Sequence, residues 1–285
     1  MDAGSRPRAA GLRLPCEPCS GTERVRRRIT ISIASKSLSL FVRSQRALSR
    51  AFDHLLPSKY RKDGNRDYIV SFVPAYLRNG MTVYEIGGGK SPLTDLERKR
   101  AMGLTVVGID IDQAELSLAP PGAYDKAICT DICDYRGEGD ADLVICQAVL
   151  EHVHDVGAAF ECIASVLKPG GVALLFTPSR NALFAQLNRV LPQNAKKSIL
   201  YGIAPQTRAM QGFRAYYDRC TPRDFRRLAK ANGLVVKEER FYYISSYFAC
   251  FFPAYVLWRA WILLSKLLIG DQAAETFSMA LKKLE

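Results

Sequence analysis

Three acidic residues each lie at the end of a short hydrophobic run, where a carboxylate could bind a polar ligand. Glu85 opens EIGGG, Asp110 ends VVGID, and Asp131 directly follows AICT. Glycines allow a sharp turn and let the backbone approach a ligand closely. A carboxylate at a strand end can accept hydrogen bonds from both hydroxyls of a ribose. Three such acids suit a ligand with hydroxyls, an exocyclic amine and positive charge, rather than a pyrophosphate.

The tripeptide GKS at 89–91 could belong to a nucleotide-phosphate loop, but its surroundings exclude one. A Walker A loop needs an earlier glycine at the position that Tyr84 occupies here. Pro92 directly after Ser91 indicates a turn or the first residue of a helix. Pro92 also takes the place of the third glycine of a dinucleotide-binding GxGxxG fingerprint. A nicotinamide-dependent oxidoreductase therefore stays only as an alternative.

Short β-rich runs alternate with helical segments from about residue 67 onward. Strands are predicted at 82–86, 105–109, 126–130, 143–148, 172–177, 234–243 and 275–283, and helices at 94–102, 113–118, 156–167 and about 222–231. Strand–helix alternation with continuously apolar strands is typical of a parallel sheet covered on both faces. Such sheets bind ligands at the carboxyl ends of their strands, where the three acids lie.

The pattern resembles a class I S-adenosylmethionine-dependent methyltransferase of the small-molecule or lipid type, over roughly residues 65–240. The resemblance implies S-adenosylmethionine as cofactor and the following binding residues: Glu85, Gly87, Gly88 and Gly89 for the methionine part, Asp110 with Ile111 for the ribose, Asp131 with Ile132 for the adenine, and Gln147 at the exit of the fourth strand. One departure is Ser91, which replaces the third glycine of the fuller motif.

The predicted fold is therefore α/β, a Rossmann-like seven-stranded methyltransferase sheet with an N-terminal helical extension and a C-terminal apolar helical insert. We expect a disordered basic tail at 1–28, a basic amphipathic helical extension at 29–64 and the cofactor-binding core at 65–240. A substrate-side insert at 179–220 lies within the core, and an apolar helical segment with the last strand follows at 241–285.

Charge and cysteine content limit which cellular compartment and which partners are expected. The net charge is +12, of which residues 1–62 contribute +10 with 14 Lys/Arg against 4 Asp/Glu. The eight cysteines are scattered, mostly in hydrophobic runs, which favours a reducing, cytoplasmic compartment. Cys16 and Cys19 form a lone pair without two further ligands, so no metal site is predicted. The Arg-rich start also resembles an organellar transit peptide.

Candidate catalytic residues follow the fourth strand. His152 and His154 are two of the three histidines, and either could take a proton from an acceptor hydroxyl. A structural role in orienting the loop is the alternative. Tyr216, Tyr217 and Arg219 could contribute to the same pocket as substrate-binding residues, surface packing being their alternative. Oxygen, nitrogen and carbon acceptors are not separated by these residues.

The C-terminal region points to a hydrophobic acceptor. Phe241 to Trp258 is a run of 18 residues without a charge, and a helix is predicted from Pro253 to about residue 269. Trp258 and Trp261 are expected at lipid headgroup depth, and Arg259 and Lys266 share one helix face. With the basic helix at 36–55, the segment 241–269 predicts peripheral membrane contact. The alternatives are a buried lid or a homodimer surface.

These features favour methyl transfer to a hydroxyl of a hydrophobic small molecule, lipid, quinone or lipid-linked sugar. RNA is the alternative acceptor that a basic chain suggests. The basic residues, however, lie mostly in the N-terminal extension, without stacking aromatic residues around them. A nucleic-acid partner is therefore not expected.

Overall fold

The computed structural model describes residues 39–190, 213–244 and 248–284. The predicted basic tail at 1–28, the Cys16-Cys19 pair and the middle of the insert at 179–220 lie outside those residues. The first part of the extension predicted at 29–64 lies outside them too.

Seven strands form one sheet, which confirms the predicted fold. They are β1 (Thr82–Ile86), β2 (Thr105–Asp110), β3 (Lys126–Cys129), β4 (Ala141–Gln147), β5 (Leu167–Pro178), β6 (Leu234–Tyr242) and β7 (Thr276–Lys283). Their order across the sheet is β3-β2-β1-β4-β5-β7-β6. The first five strands are parallel, and β7 pairs antiparallel with β5 and β6. The carboxyl ends of β1 to β5 therefore meet at one edge of the sheet.

Helices flank both faces of the sheet. They are α1 (39–54), α2 (Gly64–Asp67, Tyr68–Phe72 and Val73–Tyr76 in succession), α3 (Leu96–Met102), α4 (Gln113–Ser117), α5 (Val156–Val166), α6 (Leu183–Val190), α7 (Pro222–Ala231) and α8 (Phe252–Ile269). Asp95, Asp112, Asp155 and Thr221 begin α3, α4, α5 and α7, where each side chain accepts a backbone N–H of the first turn. The sequence missed α2 and α6.

Alternate strand residues divide the core into two layers. Val83 and Leu143 face α2, whose Tyr68 and Phe72 are fully buried. Tyr84, Val144 and their equivalents face the opposite way, toward α5 and α7. This alternation is what a sheet covered on both faces requires, and it explains the continuously apolar strands of the sequence.

A third group of buried residues on α8, Tyr255, Trp258 and Ile262, packs with Phe52 of α1. We call these two helices the α1–α8 layer. Arg259 of α8 is 0% exposed, and its Nε lies 3.1 Å from Oδ1 of Asp53 in α1. Its guanidinium also donates to the carbonyl oxygens of Tyr60, at 2.7 Å, and Tyr243. Arg259 and Lys266 do share one helix face, since both contact Tyr243, but this face is turned toward protein at Arg259. Arg259 points inward because Asp53 and two backbone carbonyls supply the partners that a buried charge needs.

Trp258 also departs from its predicted position, because it packs into the apolar cluster of this layer. It is buried against Phe248 and Tyr255, with ring centroids 5.4 and 5.8 Å away. Trp261, three residues later on α8, is exposed as expected. Only one of the two tryptophans is therefore available to a membrane surface.

Candidate functional site

A cavity of about 380 Å³ opens at the carboxyl edge of the sheet. It is lined by Ile86, Gly87, Ile109, Asp110, Ile111, Thr130, Asp131, Ile132, Ala148, Val149, His152, Val153, His154, Phe213, Arg214 and Tyr216. These residues come from the exits of β1, β2, β3 and β4 and from the segment that precedes α7. Strands far apart in sequence thus contribute to one site, as expected for a parallel sheet.

The first turn after β1 leaves no room for side chains. Gly87 has a φ of +70°, and a Cβ added there would lie 2.2 Å from Cγ2 of Val149. The Gly87 N–H donates to the Ile109 carbonyl oxygen at 2.7 Å, which ties the turn to β2. Gly89 also has a positive φ, +46°. The turn therefore requires glycine for its conformation and for the close approach of the β4 exit.

Glu85 holds the chain that follows this turn and is not among the residues that line the cavity. Its carboxylate is buried and accepts the backbone N–H groups of Leu93 at 2.7 Å and Thr94 at 2.6 Å. Burial raises the pKa of this carboxyl above its ordinary value. The structure thus gives Glu85 a positioning role in the loop after the glycines. Gly88 and Gly89 likewise form the turn without lining the cavity.

Asp110 and Asp131 line the cavity at the ends of β2 and β3, and both carboxylates are held in the same way. Oδ1 of Asp110 accepts the Asp112 N–H at 2.9 Å, and Oδ1 of Asp131 accepts the Cys133 N–H at 2.8 Å. Burial raises the pKa of Asp110 above its ordinary value. A side chain fixed by the N–H two residues later is pre-organised to receive a ligand hydroxyl or amine.

Apolar side chains cover much of the rest of the cavity. Ile111 and Ile132, which the sequence predicted, are joined by Ile86, Ile109, Val149 and Val153, which it did not. Ala148, just past β4, has a φ of +53° although it is not glycine. Such backbone strain often marks a functional site, but no sequence signal could have identified it.

The outer part of the cavity brings together His152, Phe213, Arg214 and Tyr216. The His152 and Phe213 rings pack edge to face, with centroids 6.4 Å apart. The Arg214 guanidinium lies over the Tyr216 ring, 5.0 Å from its centroid. Since the Tyr216 N–H donates to the Glu151 carbonyl oxygen at 2.8 Å, this segment is attached to the β4 exit. Phe213 and Arg214 were not predicted individually.

Three other predicted residues lie away from the cavity. Tyr217 is buried in the core, and Arg219 forms ion pairs with Asp155 at 2.5 Å and Asp218 at 2.9 Å. Gln147 donates from Nε2 to Oδ1 of Asn65 in α2, at 2.5 Å. These three residues stabilise the protein around the cavity, and none of them lines it.

Asp131, Cys133 and His154 come together at the β3 side of the cavity. Their ligand atoms lie within 4.8 Å of one another, a grouping that the sequence did not predict. Sγ of Cys133 is 3.8 Å from Nδ1 of His154. Burial, with a hydrogen bond to Asp131, raises the pKa of the Cys133 thiol to about 11. The thiol therefore stays protonated at neutral pH and behaves as a small, nearly apolar group.

Glu151 lies beneath the outer part of the cavity as a buried carboxyl. Burial raises its pKa to about 7, and its Oε2 accepts the Thr177 hydroxyl at 3.1 Å. Its other oxygen, Oε1, is 3.9 Å from Nε2 of His152. A carboxyl with a pKa of about 7 thus lies beside His152, one of the two histidines that line the cavity.

The fold and this site define a class I S-adenosylmethionine-dependent methyltransferase. The strand order, the glycine turn after β1 and the fixed acids after β2 and β3 carry that assignment. The cavity fits the cofactor, because two fixed carboxylates face a space with apolar walls and the turn approaches it without Cβ atoms.

Comparison with known proteins identifies the family. Residues 53–239 match the family model described as "Methyltransferase domain", and the chain belongs to this family. Ubiquinone biosynthesis O-methyltransferases from Pseudomonas paraeruginosa and Thiobacillus denitrificans are similar to it. The first is 31% identical over 109 residues (36% of this chain, 46% of the relative) and the second 33% over 110 (36% and 47%). The chain spans about half the length of these curated relatives.

Among solved structures, the chain resembles phosphoethanolamine N-methyltransferase 2 from Haemonchus contortus in complex with phosphomonomethylethanolamine and S-adenosylhomocysteine. The TM-score is 0.50 at 17% identity, covering 83% of this chain and 57% of the other. This likeness concerns the fold.

Proposed function

We propose that this protein transfers the methyl group of S-adenosylmethionine to a hydroxyl of a hydrophobic small molecule, such as a lipid, quinone or lipid-linked sugar. The observation that carries the proposal is the placement of His152 at the outer part of the cofactor cavity. The names of the curated relatives, which are O-methyltransferases, support the choice of oxygen as the acceptor atom.

His152 has a fixed tautomer that leaves one nitrogen as a proton acceptor. Its Nδ1 lies 3.2 Å from the carbonyl oxygen of Arg214. Because a carbonyl oxygen only accepts hydrogen bonds, Nδ1 carries the hydrogen and Nε2 keeps its lone pair. The nearby Glu151 carboxylate stabilises the imidazolium once Nε2 has taken a proton.

When bound, S-adenosylmethionine supplies an electrophilic methyl carbon on a sulfonium. Asp110, Asp131 and the glycine turn would hold the nucleoside and amino-acid parts, which would fix the direction of attack. Nε2 of His152 would take the proton of the acceptor hydroxyl as the oxygen of that hydroxyl receives the methyl group. Phe213 and Tyr216 offer ring faces to an apolar acceptor beside the histidine.

The test compares acceptors and then the two histidines. Methyl-labelled S-adenosylmethionine would be incubated with a prenylated dihydroxybenzene, a lipid-linked sugar and, as an amine control, phosphatidylethanolamine. We expect label in a hydroxyl acceptor, and label in the amine alone would overturn the proposal. His152→Ala should lower kcat about 100-fold or more, with the affinity for S-adenosylhomocysteine unchanged.

His154→Ala provides the matched control, because His154 lines the same cavity from its β3 side. This variant should keep kcat within about threefold. A larger loss of kcat in His154→Ala than in His152→Ala would assign the base to His154.

We further propose that the α1–α8 layer rests on a membrane surface. By length and composition alone, one helix in the described part of the chain, Phe252–Ala273, could cross a membrane. Arg259 and Trp258 on one side of α8 are buried against protein, which favours a helix lying in the interface. The other side exposes an apolar stripe: Leu257, Trp261, Leu264 and Leu268. Arg43, Arg46 and Arg50 of α1 are exposed in the same layer and favour anionic lipid.

Vesicle sedimentation tests this contact. Leu264→Ser with Leu268→Ser should weaken binding of the whole chain to phosphatidylcholine vesicles that contain phosphatidylglycerol, by about tenfold or more. The control is Leu118→Ser with Val235→Ser, which removes two exposed apolar side chains outside the layer. Equal sedimentation of the wild type and both variants would contradict membrane contact through α8.

A further inference from the structure

A second cavity, of about 350 Å³, lies outside the cofactor site and is lined by Arg180, Asn181, Gln186 and Arg189. Arg180 and Asn181 follow the carboxyl end of β5, and Gln186 and Arg189 lie one turn apart on α6. Since β5 is parallel to β4, this cavity opens at the same edge of the sheet as the cofactor cavity.

Hydrogen bonds hold the walls of this second cavity in place, and one of them reaches the residues just past α8. The Asn181 Nδ2 donates to the carbonyl oxygen of Gln272, just past α8, at 3.0 Å. The Gln186 Nε2 donates to the Asn181 carbonyl oxygen at 3.0 Å. The Arg180 N–H donates to the Cys220 carbonyl oxygen at 2.7 Å. The backbone and the two amides are thus held in place, with one further N–H on each amide nitrogen.

The positive charge of the second cavity is not neutralised by its surroundings. None of its four lining residues carries a carboxylate, and neither arginine forms an ion pair with any residue that the structure describes. The sequence from Ser179 to Tyr217 contains no Asp or Glu but six basic residues: Arg180, Arg189, Lys196, Lys197, Arg208 and Arg214. The near-neutral balance beyond residue 62 therefore conceals a local cationic segment. Two guanidinium groups without a described acidic partner give this concave site a positive potential that attracts anions.

We propose that the second cavity binds a phosphate group. Guanidinium groups donate paired N–H bonds that match the oxygens of phosphate, and the two amides add neutral donors. The phosphate could belong to a lipid headgroup or to a soluble phosphate ester, since the cavity lies beside the end of α8 and is also open to solvent. This site does not depend on which acceptor is methylated.

Calorimetric titration of the whole chain with inorganic phosphate, at constant ionic strength, tests the site. Arg180→Gln with Arg189→Gln should weaken phosphate binding about tenfold or more. The matched control, Arg98→Gln with Arg100→Gln, removes the same charge from α3 and should leave binding unchanged. The affinity for S-adenosylhomocysteine reports folding, because none of these arginines lines the cofactor cavity. If the double variant loses that affinity, the single variant of the exposed Arg189 replaces it.

These outcomes distinguish a specific phosphate site from non-specific attraction of phosphate by the positive charge of the protein. Equal weakening in both double variants, or no saturable binding by the wild type, would overturn the proposal. Vesicles of phosphatidylcholine with phosphatidic acid then distinguish the two sources. Binding to these vesicles that depends on Arg180 and Arg189 assigns a lipid phosphate, and dependence seen only with inorganic phosphate assigns a soluble one. Neither result depends on methyl transfer, so failure of the enzymatic proposal would remain distinguishable.

Discussion

The cofactor cavity and the α1–α8 layer use charged residues in opposite ways. In the cavity, Asp110 and Asp131 are each fixed by one backbone N–H and face the open space. In the layer, Asp53 and Arg259 are buried, paired with each other and bonded to neighbouring groups. The first arrangement keeps charge available to a ligand, whereas the second holds two helices together. Whether a charged residue in an apolar run binds a ligand or stabilises the fold therefore depends on the partners of that residue.

The largest expected effect separates these two regions through stability. Arg259→Met should lower the free energy of unfolding by about 3–5 kcal/mol, because it leaves the Asp53 carboxylate buried without its charged partner. Urea denaturation measures this loss, and calorimetry should give an unchanged affinity for S-adenosylhomocysteine.

A second variant makes the test of Arg259 specific. Adding Asp53→Leu to Arg259→Met should recover most of the stability, since no unpaired charge then remains. Loss of cofactor affinity in a folded Arg259→Met protein would show that the two regions are not separable.

Glu151 tests the cavity side through pH. Its pKa rises from an ordinary 4.5 to about 7 in the folded protein, so the folded state holds this proton more tightly than the unfolded chain. The resulting stability is fully present below pH 4.5 and is lost as pH rises through 7. Between pH 5 and pH 8, the free energy of unfolding of the wild type should therefore fall by about 3 kcal/mol relative to that of Glu151→Gln. Glu97→Gln, an exposed control on α3, should show no such shift.

Asp110→Ala should reverse the pattern of Arg259→Met. Two charge-assisted hydrogen bonds to the ribose would be lost, so calorimetry should show binding of S-adenosylhomocysteine weakened about 100-fold. Stability should fall less than in Arg259→Met, because Asp110 loses only the hydrogen bond from the Asp112 N–H and makes no ion pair with the described residues. Asp112→Ser, which keeps the capping oxygen of α4, is the control and should bind normally. Undiminished affinity of Asp110→Ala for S-adenosylhomocysteine would contradict the assignment of Asp110 to the ribose. Binding of NADH by the wild type, in place of S-adenosylhomocysteine, would contradict it too.

The smallest effect concerns the outer surface of the layer. Trp261→Ala should lower the free energy of unfolding by about 1 kcal/mol or less, because 53% of its surface is exposed. Trp258→Ala, three residues away, should cost about 3 kcal/mol or more. Equal losses in thermal or urea unfolding would show that α8 does not present the face described here.

The sheet could be predicted because its strands are signalled locally. Continuous apolar runs, glycine turns and capping residues such as Thr221 gave the strands to within two residues, except β5, which begins at Leu167 instead of the predicted 172. The helix α2 was missed because its middle turn, Tyr68–Phe72, is a π-helix, which disrupts the helical spacing of apolar residues. The helix α6 lies at the start of the long segment after β5, where the sequence shows no regular alternation of strands and helices.

The cavity was predictable only in part. Gly87, Asp110 and Asp131 were found because a turn or a strand end identifies them locally. Phe213 and Arg214 reach the cavity through a segment about 60 residues beyond β4, attached by the Tyr216 N–H to the Glu151 carbonyl oxygen. Arg219 and Tyr217 belong to the same segment, yet one forms ion pairs and the other enters the core. Neighbours in sequence were thus separated by a contact that no local pattern encodes.

The sequence alone determined the order of the seven strands along the chain, the glycine turn and the acids that follow successive strands. These depend on backbone conformation and on apolar spacing within a few residues. Only the tertiary structure decided which charges are available to ligands. Asp53 and Arg259 lie more than 200 positions apart, and their pairing is set by the packing of α1 on α8. A side chain's burial depends on what covers it, and what covers it comes from distant parts of the chain.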